Sequence, residues 1–149
     1  MKNYVIQDIH KELNLELLDE LLTESVSEGF RHITRFVEEY KSGTNRFSKD
    51  GEALFLCFSD TRVIGICGLN RDPFYGEGVG RLRRLYVLKE FRRHCIGRKL
   101  TEAVIHKSQT YYTRLVLKTD SSQARKFYNT LNFIEVYNDE NITHYFDIK

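Results

Sequence analysis

Several residue types are scarce in this sequence of 149 residues, which has one proline, one methionine, three cysteines and no tryptophan. With one proline and no low-complexity tract, the chain does not have the composition of a disordered or fibrous protein. Three cysteines without close pairing fit neither a disulfide framework nor a zinc site. Because Cys57 and Cys67 lie in apolar runs, we expect both to be small core residues.

Long hydrophobic runs are also missing. No segment approaches the roughly 20 apolar residues that a membrane-spanning helix needs, and the first residues, MKNYVIQDIHKELN, lack the apolar core of a signal peptide. We therefore expect a cytoplasmic protein without a membrane partner. The length predicts a single domain covering residues 1–149.

The net charge of +2 is too small to indicate a nucleic-acid partner by itself. Positive charge is nevertheless crowded into one span, which contains Arg81, Arg83, Arg84, Lys89, Arg92, Arg93, Arg98 and Lys99. Nucleic-acid-binding modules usually spread basic and aromatic residues over a surface, whereas this charge gathers around one turn. The sequence therefore predicts no nucleic-acid partner.

Hydrophobic spacing predicts the element order strand, two helices, three strands, helix, strand, helix and two strands. The first helix is expected after a cap at Asn14, with Leu15, Leu18, Leu22 and Val26 on its core face. This order is typical of a mixed α/β domain.

The stretch RLYVLKEFRRHCIGRKL, residues 84–100, predicts a strand that ends in a tight turn and leads directly into a helix. Such a turn directs unpaired backbone N–H groups at one spot, which the helix dipole makes positive. Gly97 allows close approach of a ligand, and Arg92, Arg93, His94 and Arg98 add charge suited to a pyrophosphate. The turn alone also fits a solvated basic loop in which glycine is present at position 97 only because of the dihedral angles it allows.

This stretch, followed by SSQARKFYNTLNF, resembles the GNAT superfamily of N-acetyltransferases over essentially the whole chain. The resemblance implies a mixed, mostly antiparallel sheet of six to seven strands with about four helices, acetyl-CoA as cosubstrate and no metal. Arg92 and Gly97 match the ends of the family's pyrophosphate turn, while Cys95 replaces its middle glycine and restricts the dihedral angles there. By resemblance, the residues that bind the pyrophosphate are Arg92, Arg93, His94, Cys95, Ile96, Gly97 and Arg98.

The second block matches the family pattern at Ala124, Tyr128 and Phe133. Ser121 replaces an asparagine at the helix start, where the family contacts the pantetheine arm of the coenzyme, and it keeps a short hydrogen-bonding side chain. Asn132 replaces a glycine, and asparagine tolerates the left-handed conformation that the turn requires. The resemblance therefore places Ser121 among the residues that bind the coenzyme.

The implied reaction is transfer of an acetyl group from acetyl-CoA to a primary amine by direct attack in a ternary complex. The amine must first lose a proton, since its pKa lies near 10. By resemblance, the backbone of Leu85, Tyr86 and Val87 binds the pantetheine and stabilises the charged carbonyl oxygen, and Tyr128 protonates the departing thiolate. Tyr128 also fits a plain aromatic on the core face of a helix.

The general base is not assigned, because Arg81 stands where many family members carry a glutamate. Asp72, Glu77 and Glu135 are candidates acting through a water, although each is more simply an ordinary surface acid. Phe127 is expected in the core.

Acceptor specificity is expected from the first two helices, from Gly43 to Phe47 and from the loop 70–78. Arginines in these segments suit a carboxylate, whereas Asp72 or Glu77 suits an amine. The sequence leaves open whether the acceptor is a small-molecule amine or a protein amino group, and whether the protein is a homodimer. A non-catalytic acyl-CoA-binding or sensing module of the same fold is the alternative function.

Overall fold

The computed structural model describes residues 3–148, which contain seven strands and four α-helices. The strands are β1 (Tyr4–Asp8), β2 (Ala53–Ser59), β3 (Arg62–Arg71), β4 (Val79–Val87), β5 (Arg114–Leu117), β6 (Ile134–Glu135) and β7 (His144–Asp147). The helices are α1 (Asp19–Ser27), α2 (His32–Ser42), α3 (Ile96–Ser108) and α4 (Ser122–Thr130), with short 3₁₀ turns at Leu15–Leu18 and Lys89–Phe91. The predicted element order is confirmed.

The strands form one sheet in the order β1-β2-β3-β4-β5-β7-β6. All neighbouring strands are antiparallel except β4 and β5, which are parallel. The β4–β5 ladder covers only Val79–Arg81 and Arg114–Val116. The two strands therefore separate after Arg81, which leaves a gap in the middle of the sheet. The predicted mixed, mostly antiparallel α/β architecture is confirmed.

The helices cover both faces of the sheet. On one face, the Tyr86 hydroxyl of β4 donates to α1, to Glu24 Oε2 at 2.7 Å. On the other face, α3 packs so tightly on β3 that a Cβ added to Gly65 would lie 3.0 Å from Leu100 Cδ1. Cys57 and Cys67 are buried between these layers, as predicted. Burial raises the pKa of the Cys57 thiol to about 11, so this thiol stays protonated and unreactive.

The start of the first helix differs from the prediction. Asn14 does cap it, accepting a hydrogen bond from Glu16 N at 3.1 Å, but the capped turn is the 3₁₀ turn Leu15–Leu18 and α1 starts only at Asp19. A 3₁₀ turn has three residues per turn rather than 3.6. The core face predicted for one continuous α-helix is therefore wrong at Val26, which is 55% exposed, while Leu18 and Leu21 are buried.

Within residues 3–148, no helix is long and apolar enough to cross a bilayer. The same residues contain no cluster of three His, Cys, Asp or Glu side chains that could hold a metal ion.

Candidate active site

The turn before α3 presents a row of unbonded backbone N–H groups. Arg93 and Cys95 are left-handed, with φ of 70° and 63°, and α3 begins directly afterwards at Ile96. Alternating left- and right-handed residues point successive amides into one concavity that suits an anion. The backbone amides of residues 93–98 donate no hydrogen bond to any acceptor in the described residues. The dipole of α3 adds positive potential at this point.

Cys95 occupies the conformation that the family's glycine would supply, with φ 63° and ψ 17°, and its side chain is exposed. A left-handed L-residue costs about 1–2 kcal/mol. The substitution of glycine by cysteine therefore leaves a left-handed residue at this position and introduces strain.

Arg92, which is predicted to bind the pyrophosphate, is paired with residues of the protein itself. Its guanidinium forms two hydrogen bonds to Glu28 of α1, at 2.7 and 3.1 Å, and its Nε donates to Val87 O at 3.0 Å. The hydrogen bond from Arg92 holds the pKa of Glu28 below its usual value, so the carboxylate stays ionised. Arg92 thus links the turn to α1 and β4. Its bidentate pairing is made with Glu28, a residue of the protein itself.

Arg93 and Arg98 are exposed, and neither forms a hydrogen bond or ion pair within residues 3–148. Their guanidinium groups remain available to a negatively charged ligand beside the unbonded amides.

Gly97 lies in the first turn of α3, against Phe127 of α4. A Cβ added at Gly97 would be 3.2 Å from Phe127 Cζ and 4.0 Å from Val87 Cγ2. Phe127 is only partly buried, so its prediction as plain core is incomplete. Its ring lies next to the turn, where a larger side chain at position 97 would press against it.

Beside the gap, β4 carries a β-bulge in its pairing with β3. Gly68 pairs with Arg83 and Ile66 with Tyr86, so Arg84 and Leu85 together face the single residue Cys67. Arg84 has φ 64°. A bulge redirects the strand locally and is frequent beside active sites. The segment predicted to bind pantetheine, Leu85 to Val87, begins within this bulge and has no ladder partner in β5.

Tyr128 is 5% exposed, and its ring contacts Phe127, Phe133 and His144 at centroid distances of 5.1, 5.4 and 5.9 Å. Its hydroxyl forms no hydrogen bond within the described part of the chain. Burial raises the pKa of Tyr128 well above its ordinary value, so the hydroxyl stays protonated. The ring of Tyr128 therefore lies in the core, and its protonated hydroxyl has no acceptor among residues 3–148.

Ser121 is the N-cap of α4, and its hydroxyl oxygen accepts a hydrogen bond from Ala124 N at 3.2 Å. The hydroxyl proton is still available to donate to a ligand. Asn132 takes the left-handed conformation predicted for it, with φ 70°.

Asp72 is not a surface acid, so that prediction is wrong. It is 6% exposed, and its Oδ1 accepts from Arg81 Nε at 2.7 Å. Its Oδ2 accepts from the backbone amides of Phe74 and Tyr75, at 2.9 and 2.6 Å. Both carboxylate oxygens are therefore occupied, which also explains the arginine at position 81. Of the other candidate bases, Glu77 is exposed.

Glu135, the third candidate, accepts a hydrogen bond from Asn129 Nδ2 at 2.8 Å. It is partly buried rather than fully exposed. Nothing in these contacts distinguishes it as a base.

His32 is a candidate functional residue that the sequence did not reveal. Its ring lies between Phe30 and Tyr86, at centroid distances of 5.5 and 5.7 Å, on the face of β4 that carries α1 and α2. Its Nε2 is buried and has no partner in residues 3–148. Burial, followed by the charge of Arg84, lowers the pKa of His32 to about 4. No motif could have singled out this residue, because its environment depends on packing against β4.

A cavity of about 280 Å³ opens on the same face, toward the start of β4. It is bordered by Glu39 of α2, the loop after α2, Asn70 at the end of β3, and Arg83 of β4. All three regions predicted to set acceptor specificity contribute to it: the first two helices only through Glu39 of α2, the second region through Gly43–Arg46, and the loop 70–78 through residues 70, 71 and 73. Arg31 and Glu77 are not among the residues that line it.

The sheet of this mixed α/β domain divides between the parallel strands β4 and β5, and unbonded amides lie at the start of α3, the helix that follows β4. These two features define a domain suited to a phosphate-bearing ligand. The family model described as acetyltransferase (GNAT) domain matches residues 21–146. The chain therefore belongs to the GNAT acetyltransferase family. A search of curated proteins found no match.

Solved structures agree with this assignment. A protein assigned as an acetyltransferase from Exiguobacterium sp. 255-15 is 34% identical, with a TM-score of 0.84 over 97% of this chain and 93% of that one. A GNAT-family acetyltransferase from Staphylococcus aureus Mu50 is 20% identical, with a TM-score of 0.77 over 97% of this chain and all of that one. The Escherichia coli GNAT protein YhbS, solved with CoA, has 13% identity and a TM-score of 0.75, covering 100% of this chain and 83% of that one. The last two similarities show the fold.

Proposed function

We propose that this protein transfers an acetyl group from acetyl-CoA to a primary amine by direct attack in a ternary complex. The observation that carries the proposal is the row of unbonded amides at residues 93–98, which follows a strand, β4, that separates from its parallel neighbour β5 after Arg81. Membership in the acetyltransferase family and the CoA bound to a neighbour of the same fold support the choice of coenzyme.

The pyrophosphate of acetyl-CoA would accept hydrogen bonds from the amides of residues 93–98, with charge from Arg93 and Arg98. Arg92 would hold the turn in place through Glu28. The pantetheine arm would follow Leu85 to Val87 in the gap, where the sheet provides no neighbouring strand. Ser121 would donate its hydroxyl proton to the same arm.

In the reaction, the amine nitrogen forms a bond to the thioester carbonyl carbon, and the carbon–sulfur bond then breaks. Tyr128 gives its proton to the departing thiolate and regains one from solvent. The proton lost by the amine passes to a base that we do not assign. The acceptor is either a small-molecule amine or a protein amino group.

The decisive experiment combines calorimetry of acetyl-CoA binding with thiol release in the presence of many amines. Arg98→Gln should weaken binding about tenfold, because one charge-assisted contact is lost. Lys11→Gln, an exposed residue far from the turn in sequence, serves as the charge control and should bind like wild type.

Gly97→Val should weaken binding by at least the same factor, since its side chain would crowd Phe127 and the turn. Circular dichroism establishes that this variant is folded. Unchanged affinity in both variants would refute the assigned coenzyme site. Tight binding without thiol release for any amine would instead identify the non-catalytic acyl-CoA-binding alternative.

A further inference from the structure

Arg83 is a charged side chain without a partner. It is partly buried on β4 and makes no hydrogen bond or ion pair with any residue in the described range 3–148. Burial, and then the like charges of Arg81 and Arg84, lower the pKa of Arg83 from its ordinary value. An arginine remains protonated in spite of such a shift. A partly desolvated charge without a counterion is unfavourable unless a ligand supplies one.

The two acids whose charges act on Arg83 are already paired. Glu39 Oε1 accepts from Arg84 Nη2 at 2.9 Å, and Asp72 Oδ1 accepts from Arg81 Nε at 2.7 Å. Because each has its own arginine, Arg83 is the one arginine of these three without a carboxylate partner in the described residues. Glu52 also lines the cavity, and its carboxylate oxygens accept from Lys49 N and Asn70 Nδ2.

Arg83 borders the cavity of about 280 Å³, and the walls of this cavity are held in place. Asn45 and Asn70 exchange two hydrogen bonds between their side-chain amides, at 2.9 and 3.0 Å. The ring of Phe47 packs on Gly68, where an added Cβ would lie 2.4 Å from Phe47 Cε1. Such bracing fixes the loop on β3, so little ordering is needed when a ligand enters.

Arg83 directly precedes the bulge residues Arg84 and Leu85, so it lies two residues before the start of the segment assigned to the pantetheine. A small molecule with an anionic group on Arg83 could therefore extend toward the segment assigned to the acetyl group. An amine and a carboxylate a few bonds apart satisfy this spacing, and the planar guanidinium is matched to a carboxylate.

We infer that Arg83 and its cavity form a carboxylate subsite, and that the acetyl acceptor is a small amine bearing a carboxylate, such as an amino acid. This inference rests on the proposed acetyl transfer.

The test compares matched pairs of amines that differ only in the carboxylate, for example β-alanine with β-alaninamide and L-amino acids with their amides. The carboxylate member should have a kcat/KM at least about tenfold higher, the effect of one hydrogen-bonded charge pair. Arg83→Gln should reduce this ratio to near one while leaving the affinity for acetyl-CoA unchanged. Lys41→Gln serves as the charge control, because Lys41 is an exposed lysine of α2 that does not line the cavity. This variant should retain the ratio. An equal or higher rate with amides, or a preference that survives Arg83→Gln, would overturn the inference.

A second measurement does not depend on turnover. Succinate titrated into the ¹⁵N-labelled protein should shift the Nε–H resonance of Arg83 saturably, and this signal is assigned by its absence from Arg83→Gln. No saturable shift would overturn the subsite even if acetyl transfer is observed. A stronger response to inorganic phosphate than to succinate would also overturn the carboxylate assignment. Loss of acetyl-CoA binding or of all turnover refutes the proposed function separately.

Discussion

Acidification should destabilise the folded protein through His32, whose neutral ring is partly buried against Tyr86, with its Nε2 atom fully buried. The folded-state pKa of His32 is lowered from 6.5 to about 4, mainly by burial and then by Arg84, with a smaller effect of Arg35 in the same direction. Only the backbone of Leu85 acts in the opposite direction, through a hydrogen bond. In the unfolded chain the ring accepts a proton near pH 6.5. Between these two values the unfolded state binds more protons, so stability falls as the pH falls.

The size of the effect follows from the two pKa values. Complete titration of His32 corresponds to about 3 kcal/mol, at 1.36 kcal/mol for each unit of pKa difference. Between pH 7 and pH 5, where most carboxylates remain ionised, the expected loss is about 2 kcal/mol. Urea unfolding followed by far-ultraviolet circular dichroism measures it directly.

His32→Gln removes the titrating group and should eliminate about 2 kcal/mol of the pH dependence in this range. His106→Gln changes an exposed histidine and should behave like wild type. Burial also lowers the pKa of His144, so the comparison between the two variants, not the absolute slope, is decisive. A His32→Gln protein with the full wild-type pH dependence would refute the reasoning.

Three further substitutions test other parts of the structure. Cys95→Gly should raise the free energy of unfolding by about 0.5–1 kcal/mol, because relief of the left-handed strain exceeds the entropy that glycine adds to the unfolded chain; a lower urea midpoint would contradict this. Tyr128→Phe should lower kcat by about 10²-fold with unchanged acetyl-CoA affinity, and full kcat under conditions where chemistry limits the rate would remove Tyr128 from the mechanism. Gly68→Ala should destabilise the protein by about 1–3 kcal/mol, because the added methyl would overlap the Phe47 ring. A wild-type melting temperature for Gly68→Ala would show that the loop is not braced by this contact.

The sequence predicted those features that depend on neighbouring residues. Helical spacing located α2, α3 and α4, and the serine at position 121 and the asparagine at 132 have the cap and the left-handed turn expected of them. These local properties follow from side-chain chemistry that tertiary packing did not override.

The features that the sequence did not predict depend on residues far apart in the chain. Arg92 and Glu28 are 64 positions apart, and Arg81 also donates to the backbone oxygen of Asn141, 60 positions away. No periodicity encodes such partners, so Asp72 was expected at the surface. The unpaired state of Arg83 is still harder to predict, since it requires knowing where every neighbouring acid has its partner.

The short ladder between β4 and β5 has a mechanical consequence. Three residue pairs at Val79–Arg81 join a four-stranded half of the sheet to a three-stranded half. Backbone pairing between the two halves is therefore short, which gives this junction the properties of a hinge. Helix α4 contacts both sides of the sheet's division, with Phe127 against Gly97 of α3 and Tyr128 against His144 of β7. A change in the angle between the two halves would be transmitted first to these adjacent aromatic rings.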